Sequence, residues 1–364
     1  MKFRCERDAL VEALATATRA VAVRGGALPV LSGVRFELAG SRLTLAGSDL
    51  DLTIQVTAEV AGDRDGVCVV PARLVADIVR ALEPGAVQVE AEGEEARIAS
   101  GRSQFAVRAL PAEDFPRLPD AAGDDVTLEA TEFADALRQV VRAASQDDAR
   151  PILTGVLMAA EGDGLRLVAT DSYRLAVRDL PGTSVLREGQ QVLVPSKALG
   201  ELGRVLGGAE QVTLRLGERD ALFSVGDTRI STRLIEGEFP NYRQLIPSSY
   251  PNRLTVGREP LLDAIRRVKL LAREATPVRL RLGGDGLELS AITQDVGHAE
   301  EEIDAKYEGS EMVIAFNPEY LADGVDAIHG DEISLETVDA LKPAVVRTVD
   351  GSDYLYLLMP VRVS

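Results

Sequence analysis

The sequence has 364 residues, of which 46% are hydrophobic and 27% charged, and its formal net charge is −18 at pH 7. This composition is typical of a globular protein and excludes a disordered chain. No apolar run approaches the roughly 20 residues that span a bilayer, and the first residues carry no signal-peptide core, so we expect a cytoplasmic protein. Cys5, Cys68, His298 and His329 form no disulfide or metal-binding pattern, and we expect no metal or other cofactor.

The strongest pattern in the sequence is a threefold internal repeat. Val34, Val156 and Val278 stand in matching contexts and are 122 residues apart, twice over. A strand-like motif with two leucines keeps the same spacing, at 43–45, 165–167 and 287–289. Phe115-Pro116 also returns as Phe239-Pro240. Self-similarity of this kind indicates one domain repeated three times.

Each repeat is predicted to run as helix, strands, helix, strands. Apolar residues at helical spacing predict first helices at 5–21, 131–144 and 258–273 and second helices at 72–83, 196–206 and 317–328. Alternating apolar and polar runs between Gly, Asp and Asn turns predict antiparallel strands. Strands covered by two helices make an α+β fold. We expect domains at 1–120, 126–248 and 252–364, separated by segments rich in Pro, Ser, Gly or Asp.

The predicted helices differ in charge from the rest of the chain. Their formal charges sum to zero, so the remaining sequence carries the whole −18. Several helices place cations three, four or seven residues apart, as with Arg138 and Arg142, which puts them on one face. Such a face is typical of a solvated helix. It also suits the lining of a site for a polyanion, because backbone phosphates need cations and no base-reading motif. Charge alone leaves both interpretations open.

Four segments give the sequence a specific resemblance to a known family. They are Leu-Pro-Val-Leu-Ser-Gly at 28–33, Ala-Thr-Asp-Ser-Tyr-Arg-Leu-Ala at 169–176, Gly-Glu-Phe-Pro-Asn-Tyr at 237–242 and Met-Pro-Val-Arg at 359–362. With its three repeats, the whole chain resembles the bacterial DNA polymerase III β subunit, the sliding clamp. The resemblance implies three DNA-clamp domains per chain, each with two helices packed on antiparallel sheets. It further implies a head-to-tail homodimer that forms a six-domain ring.

The function implied by the resemblance is non-catalytic. Such a ring encircles duplex DNA without reading its sequence and tethers the replicative polymerase, so that synthesis is processive. The implied partners are duplex DNA, the polymerase, the clamp loader that opens the ring and other proteins with a clamp-binding motif. The resemblance and the helical cations together predict these DNA-contacting residues: Arg24, Arg73, Arg80, Arg138, Arg142, Gln146, Arg150, Lys197, Arg204, Arg266, Lys269 and Arg273.

A dimer interface is expected between the first domain of one subunit and the third domain of the other. Three repeats per chain make six only with two chains, and head-to-tail contacts close into rings. Phe105 and Val107 are predicted on an edge strand that extends a sheet across the interface. Leu270 and Leu271, at the end of the helix 258–273, are expected to add apolar contact.

The resemblance also implies a pocket that binds peptide motifs of partner proteins at the junction of the second and third domains. Its matching residues are Leu153, Thr170, Ser172, Tyr173, Arg174, Leu175, Pro240, Leu245, Asn317, Tyr320, Leu341, Pro343, Leu357, Met359, Pro360, Val361 and Arg362. The alternative is that Leu153, Leu175, Leu341 and Met359 are ordinary core residues. Gln244 and Ala275 depart from the family pattern, so we expect an altered pocket wall.

A soluble α+β repeat enzyme is the alternative function. The sequence has 58 carboxylates, but none stands in a recognisable paired acid–base motif. Asp171 has no partner carboxylate or histidine by motif, so we interpret it as a cap of a turn between strands. We therefore predict no catalytic residue.

Overall fold

The computed structural model describes residues 1–22, 28–120, 122–272, 276–284, 286–349, 351 and 353–362. The chain forms two compact units, Met1–Thr131 with Glu201–Leu234 and Glu132–Gly200 with Ile235–Ser364. No helix in these described ranges is both long and apolar enough for a membrane span.

The described residues of the first repeat form nine strands and two helices. They are β1 Lys2–Glu6, α1 Arg7–Ala17, β2 Gly33–Ala39, β3 Arg42–Ser48, β4 Leu52–Glu59, β5 Ala61–Arg64, β6 Gly66–Pro71, α2 Ala72–Ala81, β7 Ala86–Glu92, β8 Glu95–Ser100 and β9 Ser103–Arg108. The second repeat follows the same plan, but its described residues contain no counterpart of β5. Its elements are β10 Asp125–Glu129, α3 Ala130–Val140, β11 Gly155–Glu161, β12 Gly164–Thr170, β13 Arg174–Leu180, β14 Gln191–Pro195, α4 Ser196–Val205, β15 Gln211–Leu216, β16 Asp220–Val225 and β17 Thr228–Arg233.

The third repeat restores the short strand. Its elements are β18 Asn252–Gly257, α5 Arg258–Val268, β19 Val278–Gly283, β20 Gly286–Thr293, β21 Gly297–Ile303, β22 Ala305–Glu308, β23 Met312–Phe316, α6 Pro318–Ala327, β24 Glu332–Thr337, β25 Ala344–Thr348 and β26 Tyr354–Leu358. The predicted α+β fold, with two helices and antiparallel strands in every repeat, is confirmed.

The first helix of each repeat is shorter than its predicted range because its last turn tightens. A three-residue 3₁₀ turn follows each of them, at Thr18–Ala20, Val141–Ala143 and Lys269–Leu271. Such turns are common at helix ends. The second helices agree with their predicted ranges to within two residues at each end. In α2, Val75, Ala76 and Val79 are buried while Arg73 and Arg80 are exposed, as the apolar spacing predicts.

The first unit contains two antiparallel sheets. One has the strand order β5-β1-β7-β8-β9, and the other has β10-β15-β16-β17-β4-β3-β2-β6. The second sheet combines strands of the first and second repeats, because β4 pairs with β17. Helices α1 and α2 pack on the core of the first repeat, where Phe3, Leu14, Phe36 and Val79 are buried.

The second unit also contains two antiparallel sheets. Their strand orders are β14-β11-β12-β13-β26-β25-β24-β18-β22 and β21-β20-β19-β23. Here the longer sheet combines the second and third repeats, because β13 pairs with β26. Helix α6 packs closely on β26, since a Cβ built on Gly324 would lie 2.3 Å from the Tyr356 ring. Only glycine fits at that position.

One strained turn recurs in every repeat, just before β4, β13 and β21. Leu50 and Ser172 both have φ of 81°, and Asp295 has φ of 62°. A non-glycine residue rarely adopts this left-handed conformation. Side-chain hydrogen bonds hold the first two turns, since Asp49 Oδ1 and Asp171 Oδ1 each accept two backbone N–H groups. The same backbone geometry therefore persists while the exposed side chains differ.

Candidate functional site

The largest group of predicted pocket residues meets at a groove in the second unit, with a cavity of about 390 Å³. We call it the tail groove. It is lined by Tyr173, Thr276, Pro277, Asn317, Pro318, Tyr320, Met359, Pro360 and Val361. The resemblance did not supply Thr276, Pro277 or Pro318. The repeat spacing offered a signal for Pro277, which directly precedes the repeated position Val278.

The turn that contains Asp171 projects an aromatic ring toward this groove. Asp171 Oδ1 accepts hydrogen bonds from the backbone N–H groups of Tyr173, at 2.9 Å, and Arg174, at 3.0 Å. The Thr170 hydroxyl donates to the Arg174 carbonyl and accepts from the Ser172 N–H. Asp171 is thus the turn cap that we predicted. The Tyr173 side chain, held on this turn, is 59% exposed.

Arg174 lies behind Tyr320, in the lining of a neighbouring polar cavity, and offers no free guanidinium. Its Nε donates to Asp171 Oδ2 at 3.0 Å, its Nη1 donates to Asp323 Oδ2 at 2.6 Å, and the group stacks on the Tyr320 ring. Burial alone lowers the pKa of Arg174, but Tyr356, Asp323 and Asp171 more than offset it and raise the pKa. Burial raises the pKa of Tyr320 and, most strongly, that of Tyr356.

The chain segment after β26 is held along the groove by two backbone hydrogen bonds. Met359 N–H donates to the Tyr173 carbonyl at 2.9 Å, and Val361 N–H donates to the Ala315 carbonyl at 2.7 Å. The side chains of Met359 and Val361 are nevertheless 38% and 39% exposed. The apolar residues of this segment are therefore fixed in position and open to solvent.

Other predicted pocket residues do not line the tail groove. Thr170, Leu153, Leu175 and Leu357 are buried, and the three leucines serve as core residues. The remaining predicted pocket residues are at least partly exposed but do not line the tail groove: Ser172, Pro240, Leu245, Leu341, Pro343 and Arg362. The core-residue alternative thus describes Leu153 and Leu175, whereas Leu341 is 67% exposed. Gln244 is exposed, and Ala275 lies outside the described residues.

A second, polar cavity of about 330 Å³ lies behind the same two tyrosines. It is lined by Ala144, Ser145, Gln146, Asp147, Arg150, Asp171, Tyr173, Arg174 and Tyr320. Gln146 and Arg150, both predicted DNA contacts, come together here. Arg150 Nε donates to Asp147 Oδ2 at 3.1 Å, and its Nη1 donates to Ser172 Oγ at 3.3 Å. Asp147 therefore partly neutralises Arg150.

Four of the predicted helical cations share one feature, an acidic residue three positions earlier on the same helix. The pairs are Asp77–Arg80 on α2, Asp135–Arg138 on α3, Glu201–Arg204 on α4 and Asp263–Arg266 on α5, with N···O distances of 3.0 to 3.3 Å. Arg73 and Lys197 are exposed. Arg24 and Arg273 lie outside the described residues. The carboxylates therefore reduce the positive charge of these helix faces.

Two predicted DNA contacts on α3 and its 3₁₀ turn also bind the C-terminal end of α6. Arg138 donates to the carbonyls of Asp326 and Ala327, and Arg142 Nη1 donates to Asp326 Oδ2 at 2.9 Å. Cations next to the last carbonyls of a helix also interact favourably with its dipole. Lys269 forms an ion pair with Glu319, near the other end of α6. These three cations have structural partners within the chain.

The predicted interface residues lie at two sheet edges. Among the described strands, β9 ends one sheet of the first unit and β21 ends one sheet of the second. On β9, Phe105 is 40% exposed and Val107 is buried; near β21, Leu270 is 83% exposed and Leu271 is half-buried. A hydrogen bond from Arg267 lowers the pKa of Glu301 on β21.

The described residues contain no group of three or more His, Cys, Asp or Glu side chains placed to hold a metal ion. Near the tail groove, the Asp171 carboxylate is engaged in the turn cap, and the Arg174 guanidinium is engaged with Asp171, Asp323 and the Tyr320 ring. What the arrangement offers is binding: an apolar groove, paired cations on helix faces, and two open strand edges.

Comparison with known proteins shows the same match along the whole chain. Models of the N-terminal, central and C-terminal domains of the DNA polymerase III beta subunit match residues 1–119, 127–241 and 243–362. The beta sliding clamp of Streptomyces coelicolor is 37% identical over 381 residues, which cover 100% of both chains. That of Staphylococcus aureus is 31% identical, covering 100% of this chain and 99% of the relative.

Solved structures agree with the sequence comparison. The DNA polymerase sliding clamp of Bacillus subtilis has a TM-score of 0.91 and 30% identity, with 100% of both chains covered. The sliding clamp of Pseudomonas aeruginosa bound to griselimycin has a TM-score of 0.90 and 30% identity, again with full coverage of both. The chain therefore belongs to the DNA polymerase III beta subunit family, the beta sliding clamps, which are non-catalytic processivity factors of DNA replication.

Proposed function

We propose that two copies of this chain join head to tail into a closed ring that encircles duplex DNA and tethers the replicative polymerase to it. The ring catalyses no reaction; a clamp loader opens it, and it acts in the cytoplasm. Each chain contributes the domains 1–120, 126–248 and 252–364. Family membership over the whole chain supports the function, and the residues that carry it are argued below.

The observation that carries the ring is the way successive repeats join within the chain. β4 of the first repeat pairs antiparallel with β17, the last strand of the second repeat, with Leu52 opposite Thr232. β13 of the second repeat pairs in the same way with β26, the last strand of the third repeat, with Arg174 opposite Leu358. Both junctions therefore follow one rule.

The same rule leaves one strand at each end of the chain for a second copy. β21 corresponds to β4 and β13 by its place after the strained turn, and β9 corresponds to β17 and β26 as the last strand of its repeat. Both are edge strands in the part of the chain that the structure describes. Pairing β21 of one copy with β9 of the other gives each edge the partner that an exposed strand requires.

The internal junctions also suggest a register for this seam. Gly297 begins β21 as Leu52 begins β4, and two-residue turns before Ser103 and Thr228 align β9 with β17. Transferring the pairing of β4 with β17 to the seam gives three key contacts. They are Gly297 opposite Val107, Ala299 opposite Phe105 and Glu302 opposite Arg102.

Charge and apolar surface at the two edges are complementary. β21 carries Glu300, Glu301 and Glu302 in succession, whereas β9 is flanked by Arg102 and ends at Arg108. Opposite charges that face each other across strands stabilise the pairing. We propose that Phe105 and Val107 of one copy contact Leu270 and Leu271 of the other, which covers the exposed Leu270 and Phe105 side chains.

DNA is proposed to contact the cationic helix faces. The contacts are Arg24, Arg73, Arg80, Arg138, Arg142, Gln146, Arg150, Lys197, Arg204, Arg266, Lys269 and Arg273. Carboxylates within ion-pair distance of several of them reduce the attraction for phosphate. A ring that slides needs weak, sequence-independent attraction, since strong local contacts would hold it in one place.

The peptide motifs of polymerase and other partners are proposed to bind at the tail groove and along its continuation over the accessible residues Leu245, Leu341 and Pro343. An apolar groove with exposed Met359 suits partners of different sequence, because the thioether side chain adapts its shape.

Topology provides the test of the ring. The protein is loaded by clamp loader and ATP onto nicked circular DNA, and its retention is measured by gel filtration before and after linearisation. A closed ring stays on circular DNA and slides off linear DNA over its free ends. Equal retention on both forms would contradict encirclement, and a native mass of one chain at micromolar concentration would contradict the dimer.

A further inference from the structure

The segment that follows the last strand of the first repeat fills an apolar groove of that repeat. Leu110 N–H donates to the Val69 carbonyl on the edge of β6 at 2.8 Å. Five residues later, Phe115 is 8% exposed and packs with Val30, Leu31 and Val69. The chain thus covers the open edge of β6 and then buries a phenylalanine beside it.

The second repeat does the same with another sequence. Ile235 N–H donates to the Leu193 carbonyl on the edge of β14 at 2.8 Å. Four residues later, Phe239 packs against the cluster that contains Leu193 and the buried Tyr242. In both repeats an acidic residue precedes the phenylalanine and a proline follows it, as Asp114-Phe115-Pro116 and Glu238-Phe239-Pro240.

Within its described residues, the third repeat makes the first contact and leaves the groove beside it open. Val361 N–H donates to the Ala315 carbonyl on the edge of β23 at 2.7 Å, which matches Leu110 and Ile235. Arg362, the described residue that follows, is exposed and does not line the groove. Beside this contact lies the tail groove, with 390 Å³ of space in the described structure and Val361 39% exposed.

The groove also differs at its floor. Gly33 and Gly155 occupy equivalent positions in the first two repeats, and a Cβ built there would lie 2.8 Å from Leu110 Cδ1 or Ile235 Cδ1. The tail groove has Pro277 at this position. The first two repeats therefore pack their own segment against a bare backbone, whereas the third presents an apolar ring to its surroundings.

We propose that the tail groove binds a partner segment in which an acidic residue, a phenylalanine and a proline follow one another, as they do in the chain's own segments after β9 and β17. This inference rests on the proposed peptide-binding function and names the chemistry of its ligand. The partner segment occupies the space beside Val361, as those segments fill the grooves beside Leu110 and Ile235. Its phenylalanine supplies most of the affinity by leaving water, and its proline limits the freedom lost on binding.

The test uses a peptide copied from the chain itself, residues 235–242, Ile-Glu-Gly-Glu-Phe-Pro-Asn-Tyr. It is added to full-length protein carrying ¹³C-methyl methionine. The chain has four methionines, of which Met359 lines the groove and Met158 is fully buried on β11. We expect the Met359 signal to shift with peptide concentration while the Met158 signal stays. A Phe239→Ala peptide should bind at least about tenfold more weakly.

A matched pair of protein variants locates the site. Val361→Asp places a carboxylate in the groove and should weaken binding of the 235–242 peptide by about tenfold or more. Val313→Asp places the same charge on β23, outside the groove, at a residue of similar exposure, 44%. It should leave the affinity within about twofold, since Val313 does not line the groove.

A polymerase-tail peptide separates this inference from the proposed function. If that peptide binds, shifts Met359 and is not displaced by excess 235–242 peptide, the inference is overturned while the peptide-binding function stands. If neither peptide binds, both are overturned. Competition between the two peptides, lost in Val361→Asp and kept in Val313→Asp, supports the inference.

Discussion

The guanidinium carbon of Arg174 lies 4.2 Å from the centre of the Tyr320 ring. A cation over an aromatic face is attracted by the ring quadrupole, more so when water is excluded. Tyr320 lines both the tail groove and the polar cavity, so this contact holds in place the ring that separates them. Because Arg174 also donates hydrogen bonds to Asp171 and Asp323, it links the turn before β13 to helix α6.

Arg174→Lys should lower stability and peptide affinity together. Lysine keeps the charge but loses the planar fork that bridges Asp171 and Asp323 and stacks on Tyr320. We expect a loss of about 2–4 kcal/mol in the free energy of unfolding, because two carboxylates lose a shared partner. Urea denaturation measures the stability, and anisotropy of a labelled polymerase-tail peptide measures the binding.

Arg178→Lys is the matched control on the same strand. Its side chain is 15% exposed, and its ion pairs with Glu132 and Asp353 are looser, at 4.0 and 3.9 Å. Peptide affinity should stay the same in this variant. Equal loss of affinity in both would mean that Arg174 acts through general stability and has no specific role at the groove.

The seam register predicts a charge swap that restores dimerisation. Arg102→Glu and Glu302→Arg should each raise the dimer dissociation constant about tenfold, since like charges then face each other at both seams of the ring. The double variant should return close to the original constant. Analytical ultracentrifugation over a dilution series measures all four proteins. A double variant weaker than either single one would rule out this register.

Removal of the acidic partners should tighten DNA binding. In Asp77→Asn with Asp263→Asn, Arg80 and Arg266 lose their i,i+3 carboxylates. Each cation freed for a phosphate should add about 0.9 to the slope of log K against log salt concentration. Asp63→Asn, on the exposed strand β5, measures the effect of removing one negative charge away from the helices, half of the change in the helix variant. An unchanged slope in the helix variant would show that these faces do not meet DNA.

The two thiols should be inert in the folded protein at neutral pH. Burial raises the pKa of Cys5 to about 11 and, most strongly, that of Cys68 to about 12. The reactive thiolate is therefore scarce at pH 8, and labelling by a disulfide reagent should be at least about a hundredfold slower than for a free cysteine. The rate should rise with pH toward 11. Rapid labelling of native protein at pH 8, without denaturant, would contradict this.

The sequence predicted the fold because its repeats constrain one another. Val34, Val156 and Val278 each lie at the start of an equivalent strand, β2, β11 and β19. Apolar spacing located the helices, since burial of one face imposes that spacing. Helix ends were less predictable, because the change from α to 3₁₀ turns depends on local hydrogen bonds and not on apolar spacing.

The family resemblance predicted six residues of the tail groove, whereas reasoning from the residues alone succeeded only where a residue acts near its own position in the chain. Asp171 caps a turn made with its direct neighbours, and the Thr-Asp-Ser pattern indicated that role. The binding of Arg174 to Asp323 joins residues 149 positions apart, so no local pattern reported it. Leu153 and Leu175 matched the family pocket residue by residue, but packing places them in the core. The acidic partners of Arg80 and Arg266 were visible at helical spacing.

The strained turn recurs in all three repeats, but only its second copy carries an exposed tyrosine beside an open groove. On the proposed function, the described part of each chain therefore offers one docking position at the tail groove, and a ring of two chains offers two, related by its twofold axis. A polymerase on one groove leaves the other vacant for a different protein. Exchange of partners then becomes a local competition between tethered neighbours, governed by effective concentration and not by diffusion from solution. The number of working grooves sets how many enzymes one ring can carry at the same time.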